Sequence, residues 1–570
     1  MSITDWIILL AFFAYTLWDG MRQNKQTRDI GDLLLAGRRM KWWAIGVSVL
    51  ATQASAITFI GTTGQAYMQD MRFVQIYLGM PIAMVILCFT LVPFYHRLKT
   101  YTAYESLENR FGLSVRLATS LLFMLSRGIS IGIGITAPAY VLSLMLDMPL
   151  QPIILIIGLG TTAYTLFGGM AGVIRTDLKQ MALMLAGLFF CFAWILIQLP
   201  PEVGFTDALH LAGAAGKLRT IDFSFDPSEK YNLWSGLIAG LFLMLAYFGA
   251  DQSQVQRYLT ARSLTDARSS LLFPALVKLP MQFMILLLGA MLYVFYVFEE
   301  PPLVFIPQYE SDTGQYAAAD AQFREAHCAR RQAALAYVHG QPGENLKPTF
   351  TELDRQVRHI HRQEIRQQSA AAGASRDDTN YVLPYFILRE MPPGLIGLVV
   401  AAILAATLSS IDSMLNSLAA VSIMDWYKRL RPRVRAPAVE LRAARIATAC
   451  WGLVATGSAW AFGETESIVE LINMIGSYFY GTILGIFVLY WIKPATGASA
   501  LFGLVFGFAM VLLADHLYLH RDTGALGIFF TCPVGYAKAL SYLWLNPIGT
   551  IAVVASGALV GMISRKWNAA

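Results

Sequence analysis

Apolar segments long enough to cross a lipid bilayer recur along this whole chain. A membrane-spanning helix needs about 20 mostly apolar residues, and thirteen segments of the sequence approach or exceed that length. They lie at about 4–19, 42–67, 72–95, 117–146, 150–168, 174–199, 233–255, 269–298, 391–424, 443–462, 467–491, 495–515 and 546–564. Only 14% of the residues are charged, against about 25% in soluble globular chains. The sequence therefore predicts an all-α polytopic membrane protein.

The net charge of +6 is explained by where the basic residues lie between these segments. With the N-terminus outside, the inside loops carry most of them, as the positive-inside rule requires. They are Arg22, Lys25, Arg28, Arg38, Arg39, Lys41, His96, Arg97, Lys99, Arg257, Arg262, Arg268, Lys428, Arg429, Arg431, Arg433, Arg435, Arg565 and Lys566. We expect a multi-pass protein of a bacterial inner membrane with a cytoplasmic C-terminus, surrounded by lipid and without a nucleic-acid partner.

Five regions are expected along the chain. They are an extra N-terminal helix and cytoplasmic loop at 1–41, a first core part with helices two to eight at 42–299, an external polar insertion at 300–382, the rest of the core with helices nine to eleven at 383–494, and C-terminal helices with a short tail at 495–570. The insertion predicts two exposed helices around the break GQPGENLKP. We interpret its His359 and His361 as part of a solvated charged face rather than a metal site.

Motifs of enzyme chemistry are missing from the sequence. No CxxC, HExxH, GxSxG or P-loop pattern occurs, so no enzyme activity is predicted. Cys328 and Cys532 both fall outside the membrane and can pair, although nothing in their spacing requires it.

One predicted span is unusually polar for a helix at membrane depth. Its sequence at 405–417, AATLSSIDSMLNS, follows the apolar run PPGLIGLVVAAIL. At 100° per residue, Ala406, Ser409, Ser410 and Ser413 share one face, and their oxygens are the ligands that a hard cation prefers. The alternative is that the serines bond back to the preceding turn or hold helices together. Polar groups inside a membrane generally mark an ion or substrate path.

Two other predicted spans are interrupted near their middles. The segment at 41–67 carries TQAS between apolar ends, and the segment at 233–257 passes from LWSGLIAGLFLMLAYFG into ADQSQVQR. Broken spans at matching positions of two halves are typical of inverted-repeat transporters. Helices two to six and seven to eleven would form those halves.

These stretches resemble the sodium:solute symporter family. The resemblance rests on ATQASAITFIG at 51–61, LFGGMAGVIRTDLKQ at 166–180, DQSQVQRYLTARSLTDA at 251–267 and AAILAATLSSIDSMLNSLAAVSIMDWYK at 401–428. It implies a LeuT-type 5+5 inverted repeat with an extra N-terminal helix and extra C-terminal helices. It also implies sodium-coupled import of a small polar organic solute, such as a sugar, a sugar acid or another carboxylate, by alternating access and without an obligatory protein partner. The alternatives are a non-transporting sensor or scaffold and a proton-coupled symporter.

The resemblance also implies which residues bind sodium. The shared site of the family corresponds here to Ala51, Ala54, Ala406, Ser409 and Ser410. A further site, present in some members, corresponds to Asp177, Ser409, Asp412 and Ser413. Several of those members have a hydroxyl residue where this chain has Asp412, so its carboxylate either strengthens a cation site or pairs with a cytoplasmic arginine.

Candidate solute ligands follow from the same resemblance, which places the solute beside the broken helices. They are Gln53, Thr58, Gln75, Arg127, Asp251 and Lys278. Arg127 suggests an anionic solute, because a guanidinium can hold a carboxylate with two hydrogen bonds, but it can instead be a structural partner of Asp251 or Asp177. Lys278 either reaches the cavity or snorkels toward the cytoplasm.

Overall fold

The computed structural model describes residues 1–22, 27–306, 313–340, 346–372, 377–431, 436–461, 468–518 and 540–569. Its first half contains α1 (Ile3–Arg22), α2 (Ile30–Leu35), α3 (Trp42–Gln53), α4 (Ala56–Met68), α5 (Met80–Phe89), α6 (Leu91–Leu98), α7 (Glu105–Phe111), α8 (Leu113–Leu146), α9 (Leu150–Ile197) and α10 (Phe205–Ala214). In the described residues, β structure is confined to one isolated bridge between Met40 and Ala261.

The remaining helices complete the bundle and the insertion. They are α11 (Gly240–Gly249), α12 (Gln252–Leu259), α13 (Leu264–Phe298), α14 (Thr313–His339), α15 (Lys347–Ala372), α16 (Val382–Glu390), α17 (Leu395–Val421), α18 (Lys428–Leu430), α19 (Pro437–Ala461), α20 (Ile468–Leu489), α21 (Gly497–Tyr518) and α22 (Leu545–Ala569). Every predicted apolar segment coincides with one or more of them.

Fewer helices meet the length and apolarity expected of a membrane span than the sequence predicted. Among the described residues, eight helices are long and apolar enough to cross a membrane, or ten if each of two bent pairs is one span. The predicted segments 150–168 and 174–199 both belong to α9, which turns at Gly169, where φ is 53°. A Cβ atom at Gly169 would lie 2.6 Å from the Leu33 carbonyl oxygen. The turn therefore requires glycine. The predicted number of about thirteen membrane-spanning helices stays unconfirmed.

Both predicted interruptions are real breaks. Helices α3 and α4 meet at 56°, and α12 meets the helical run Ser235–Gly249 at 55°. Ser55 caps α4 by accepting from the Thr58 amide at 3.3 Å, and Asp251 caps α12 by accepting from the Ser253 amide at 2.8 Å. Each polar interruption thus supplies the capping group that a new helix start requires.

The polar insertion forms two helices, α14 and α15, as predicted, but it is not solvated on every face. Apolar residues of both helices pack against the segment that precedes them, in a cluster of Leu303, Val304, Ile306, Phe323, Ala326, Val357 and Ile360. The Tyr293 hydroxyl of α13 donates to buried Asp354 of α15 at 2.5 Å. The insertion is therefore docked onto the bundle. Cys328 is exposed, and Cys532 lies outside the described residues.

Helix α17 is the central element of the fold. It packs against α1, α8 and α9 and against both parts of the broken helix, α3 and α4. Nearly all of its residues are buried, including Ser409, Ser410, Asp412 and Ser413. The polar stretch of α17 is consequently surrounded by protein rather than lipid, which is the setting that polar groups at membrane depth require.

Candidate functional site

Backbone and hydroxyl oxygens converge where the end of α3 meets α17. Ser409 Oγ lies 3.3 Å from the Ala51 carbonyl oxygen and 3.1 Å from that of Ala406. Ser410 Oγ lies 3.2 Å from the Ala406 carbonyl oxygen and 3.3 Å from that of Thr52. The hydroxyls thus bond back within α17 and also reach across to α3, which are the contacts that the alternative to cation binding predicted, and cation binding by these serines stays a prediction. Four of the five residues predicted for the shared sodium site meet here.

The fifth predicted residue, Ala54, lies at the break itself. Its amide donates to the Leu50 and Ala51 carbonyls at 3.0 and 3.2 Å, which ends α3. Its own carbonyl therefore belongs to the interrupted backbone, where helical hydrogen bonding stops. Thr52 contributes a carbonyl that the sequence analysis did not name.

The residues predicted for a further sodium site are brought close together, but a guanidinium lies among them. Arg257 of α12 donates to the hydroxyls of Thr52 and Ser413, and its Nη2 lies 3.3 Å from Asp177 Oδ2. The Arg257 and Asp177 side chains have no exposed surface. The expected place of Arg257 in an inside loop is wrong, because α12 folds back into the bundle after the break and Arg257 is buried there.

Asp412 has a partner that neither sequence alternative named. The Tyr164 hydroxyl of α9 donates to Asp412 Oδ2 at 2.8 Å, and Ser413 Oγ lies 3.0 Å from Asp412 Oδ1. In the described part of the chain no arginine or lysine makes an ion pair with this carboxylate. The expected pairing with a cytoplasmic arginine is therefore not what the structure has.

A cavity of 150 Å³ lies between the two breaks. Its lining includes Gln53, Thr58 and Arg127 from the predicted solute ligands, together with Tyr77, Tyr247, Thr407, Asn473 and Tyr480. Ser410 also lines it, so the cavity adjoins the oxygens that converge between α3 and α17. A small solute and a cation would be neighbours in this arrangement.

Arg127 lines the cavity but is held by protein groups. Its Nε donates to Asp251 Oδ2 at 2.6 Å, its Nη2 contacts the same carboxylate and the Tyr480 hydroxyl, and it lies 5.4 Å from the ring centre of Tyr247. Of the three alternatives for Arg127, the contacts match the structural partner of Asp251. The Asp251 carboxylate in turn accepts from Arg127 and from the Ser253 amide that it caps at the start of α12.

Gln75 is the predicted solute ligand that the structure places elsewhere. Its amide nitrogen donates to the Tyr231 carbonyl at 2.8 Å, and its oxygen accepts from the Asp222 amide at 3.1 Å. Both ends of the side chain therefore hold a neighbouring loop and point away from the cavity lining.

Lys278 of α13 lies behind two lining residues of the cavity. Its Nζ is 3.5 Å from the Gln53 carbonyl oxygen and 4.9 Å from the ring centre of Tyr77. The side chain is fully buried, so it does not snorkel to the cytoplasm. In the described residues no carboxylate pairs with this amino group. A buried amine beside a cavity is the arrangement that an acidic ligand would complete, because the two groups can then form a paired charge.

These geometries can be compared with those of known proteins. A model of the sodium:solute symporter family matches residues 33–317 and 360–507, which is most of the chain. The chain belongs to the sodium:solute symporter family. The predicted sodium-coupled symport of a small organic solute is thereby confirmed, as is the membership inferred from the four sequence stretches.

A solved structure and two relatives show what this symporter is similar to. Its fold is that of a Na+-coupled sialic acid symporter solved in a substrate-bound outward-open state, with a TM-score of 0.75, 24% identity and coverage of 99% of this chain and 98% of that one. The expected LeuT-type fold is therefore confirmed. The chain is 27% identical to the sodium/sialic acid symporter SiaT of Proteus mirabilis, over 97% of this chain and 94% of SiaT. It is 26% identical to the human sodium-coupled monocarboxylate transporter 1, over 94% and 83% of the two chains.

Proposed function

We propose that this symporter couples sodium entry to the uptake of a small organic acid. The observation that carries the proposal is Lys278, whose buried amino group lies beside the cavity and has no carboxylate partner among the described residues. Arg127, which lines the cavity, is already neutralised by Asp251. Sialic acid and monocarboxylates, for which the two relatives above are named, both carry a carboxylate. A solute carboxylate of this kind would pair with the Lys278 amino group.

The solute carboxylate would approach Lys278 past Gln53 and Tyr77. The Gln53 side-chain oxygen has no hydrogen-bond partner among the described residues, and Thr58 lines the cavity from the start of α4. These groups can bind the neutral hydroxyl or amide groups of a solute, while Lys278 binds its charge. Leaving the Gln53 side-chain oxygen unpaired in the absence of solute costs free energy that a matching solute recovers.

Sodium would bind at the oxygens of Ala51, Ala54, Ala406, Ser409 and Ser410. A cation there would bind oxygens of the broken helix α3–α4 in one half and of α17 in the other half. It would therefore stabilise the conformation in which these oxygens are close together. Because Ser410 also lines the cavity, sodium would organise the solute site and raise its affinity by coupling. Rocking of the two halves then exposes both ligands to the other side of the membrane.

The sodium gradient supplies the driving force in this scheme. Each sodium ion carries one charge, so a membrane potential of about 100 mV contributes roughly 2.3 kcal/mol per ion beyond the concentration ratio. The positive-inside distribution of the loop residues supports an N-terminus outside and a C-terminus in the cytoplasm, in a bacterial inner membrane. We place the transporter in lipid without an obligatory protein partner.

The experiment is a thermal-shift screen of the purified protein, followed by uptake into proteoliposomes. Sialic acids, monocarboxylates and acidic vitamins are tested beside neutral sugars and amino acids, each in sodium chloride and in choline chloride. An acid that stabilises the protein only in sodium is the expected result. Lys278→Gln should abolish most of the shift for the acid while leaving any weak neutral ligand unchanged. A neutral sugar as the sole ligand would overturn the acidic-solute proposal.

A proton-coupled variant is the second candidate, favoured by one observation. Asp412 is fully buried and accepts from Tyr164 without an ion-pair partner among the described residues. Uptake in choline buffer with an inward proton gradient tests this candidate directly. Accumulation there that equals accumulation in sodium would replace sodium coupling with proton coupling.

A further inference from the structure

Another cavity lies between the insertion and one end of the bundle, apart from the 150 Å³ cavity between the two breaks, here called the solute cavity. We call it the outer chamber, because the predicted topology places this end outside the membrane. Its volume is 460 Å³, and its walls include α14, α15, the end of α4 and residues 377–379. Phe323, Arg330 and Arg358 of these walls belong to residues 318–359, which the family model does not match. The chamber is therefore not confined to the part of the chain that the family model matches.

Basic side chains outnumber carboxylates in the lining of the outer chamber. The charged and titratable residues that line it are Lys217, Arg330, Arg358, His361, Arg362, Arg366, Asp377 and Asp378. Asp378 pairs with His361 at 2.9 Å, and Asp354, behind the wall, pairs with Arg330 and Arg358 at 3.4 and 2.6 Å. In the described part of the chain no carboxylate makes an ion pair with Arg362 or Arg366. Both of these guanidinium groups are exposed, so an anion in the chamber can reach them.

The spacing of the arginines on α15 concentrates positive charge on one face of the helix. Arg358, Arg362 and Arg366 follow one another at intervals of four residues, which places them one above the other. Like charges at this spacing destabilise a helix, and a bound anion would offset their repulsion. Arg330 of α14 adds a buried guanidinium to the same wall, and its Nε has no hydrogen-bond partner among the described residues.

The outer chamber adjoins the solute cavity through a short row of residues. Thr379 lines the chamber, and the next residue, Asn380, lines a small cavity together with Ala56, Ile57 and Pro138. These last three residues also line the solute cavity. A solute that leaves the chamber at Thr379 would therefore reach the solute cavity by passing Asn380.

We propose that the outer chamber is a second binding site, at which Arg362 and Arg366 hold the carboxylate of an acidic solute before the solute enters the solute cavity. The inference rests on the proposed uptake of an acid. A guanidinium can hold a carboxylate with two hydrogen bonds, and a cleft lined by one sign of charge raises the local concentration of the opposite ion. The chamber shares no residue with the proposed sodium site, so binding there is independent of sodium.

Binding without sodium separates the outer chamber from the solute cavity. Exposed ion pairs are weak, so the chamber should not shift the melting temperature. Saturation-transfer NMR, which detects weak binding, is therefore recorded in choline chloride for sialic acid and for its uncharged methyl ester. We expect a signal for the acid and none for the ester. The signal should be lost in the double variant Arg362→Gln/Arg366→Gln and should remain in Lys278→Gln.

Arg324→Gln is the matched control for the double variant. Arg324 is also an exposed arginine of the insertion, but it pairs with Asp320 and Glu300 at 3.0 and 3.1 Å and is not part of the chamber lining. This control should keep the signal. The chamber assignment is overturned by an absent signal in wild type, an equal signal for the ester, survival of the signal in the double variant, or its loss in Lys278→Gln or Arg324→Gln. Each of these results leaves sodium-coupled uptake of an acid intact.

Uptake kinetics test whether the chamber serves transport. In proteoliposomes with an inward sodium gradient, the double variant should raise the KM of the transported acid about tenfold and leave the maximal rate unchanged. Added choline chloride should raise the KM of wild type toward that of the double variant, because salt at about 0.15 M screens exposed charges beyond about 8 Å. An unchanged KM in the double variant, or an equal rise in Arg324→Gln, would overturn the role in transport. Uptake of no acid at all would instead overturn the proposed function, and the sodium-free NMR signal would still decide whether the chamber binds acids.

Discussion

Ser409 and Ser410 are the residues on which sodium binding should depend most directly. Removing either hydroxyl takes one oxygen from a hard cation, and a lost charge-assisted contact costs on the order of 1.5 to 3 kcal/mol. With a factor of ten per 1.4 kcal/mol, Ser409→Ala or Ser410→Ala should raise the sodium concentration for half-maximal uptake roughly tenfold to a hundredfold. Sodium activation curves at matched expression measure this change.

Ser417→Ala provides the control for these two variants. Ser417 is on the same helix, and its hydroxyl donates to the Met414 carbonyl at 2.8 Å, away from α3. Its removal should leave the sodium dependence unchanged. The sodium assignment fails if Ser417→Ala is the damaging change or if the other two variants behave like wild type.

We expect Arg127 to stabilise the folded protein rather than to contact the solute. Arg127→Gln leaves the buried Asp251 carboxylate without its cation, and breaking a buried pair in this way typically costs about 3 to 5 kcal/mol. We expect a lower melting temperature and a similar loss of uptake for acidic and neutral solutes. The double variant Arg127→Gln/Asp251→Asn should recover much of the melting temperature. A loss confined to acidic solutes, with unchanged melting, would make Arg127 a solute ligand.

At the residue scale, sequence reasoning predicted contacts within one helix better than contacts between helices. The face shared by Ala406, Ser409 and Ser410 follows from helix geometry, and the structure has it. The pairing of Arg127 with Asp251 was one of three open alternatives, because it depends on how α8 meets the break before α12. Arg257 was placed in a loop, although the polar run ADQSQVQR was noted. A largely polar helix directly after a break is the signal that could have marked Arg257 as buried.

Among the elements, the breaks and the insertion show the limits of pattern reasoning. TQAS and ADQSQV marked both breaks, since each contains the residue that caps the following helix. Docking of the insertion was missed, because its apolar residues are sparse among charged ones. Its contacts with the bundle, such as Tyr293 with Asp354, join residues from separate helices that sequence spacing does not relate.

The docked insertion should respond to pH through His361 and Asp378. Burial lowers the pKa of His361, but the Asp378 carboxylate outweighs burial and raises the pKa above its ordinary value. Asp377 acts in the same direction as Asp378, and Arg362 acts against it. A raised pKa means that the ion pair stabilises docking below the ordinary imidazole value of about 6.5, and that this contribution is lost as pH rises through the folded pKa. Because Asp378 also accepts from the Phe305 amide at 3.0 Å, the hydrogen-exchange protection of that amide, corrected for intrinsic rates, should fall over this range.

Two neighbouring groups set the controls for this measurement. Burial lowers the pKa of Lys217 to about 7, so its effect on stability rises with pH and opposes that of His361. Burial also lowers the pKa of His327 to about 4, so His327 remains neutral throughout. His361→Gln should remove the fall in protection and leave only the opposite trend from Lys217. A fall that persists in His361→Gln would assign the pH response to another group.

For the whole molecule, apolar segments and basic loops were sufficient to predict a polytopic helical membrane protein, because apolar side chains favour lipid and charged side chains favour water. The number of spans was less predictable. Two segments merge into α9 at Gly169, and each break divides one segment into two helices. Such turns depend on close contacts, like that of Gly169 with Leu33, which are properties of the assembled bundle.

Sodium should stabilise the entire fold, because its proposed site joins the two halves through α3 and α17. A ligand that binds only the folded state adds about 2.7 kcal/mol of apparent stability at a concentration 100 times its Kd. The melting temperature should therefore rise in sodium chloride relative to choline chloride at the same ionic strength, without any solute. Ser410→Ala should need a much higher sodium concentration for the same rise, whereas Ser417→Ala should follow wild type. Equal melting of wild type in the two salts would show that no sodium site links the halves in the solute-free protein.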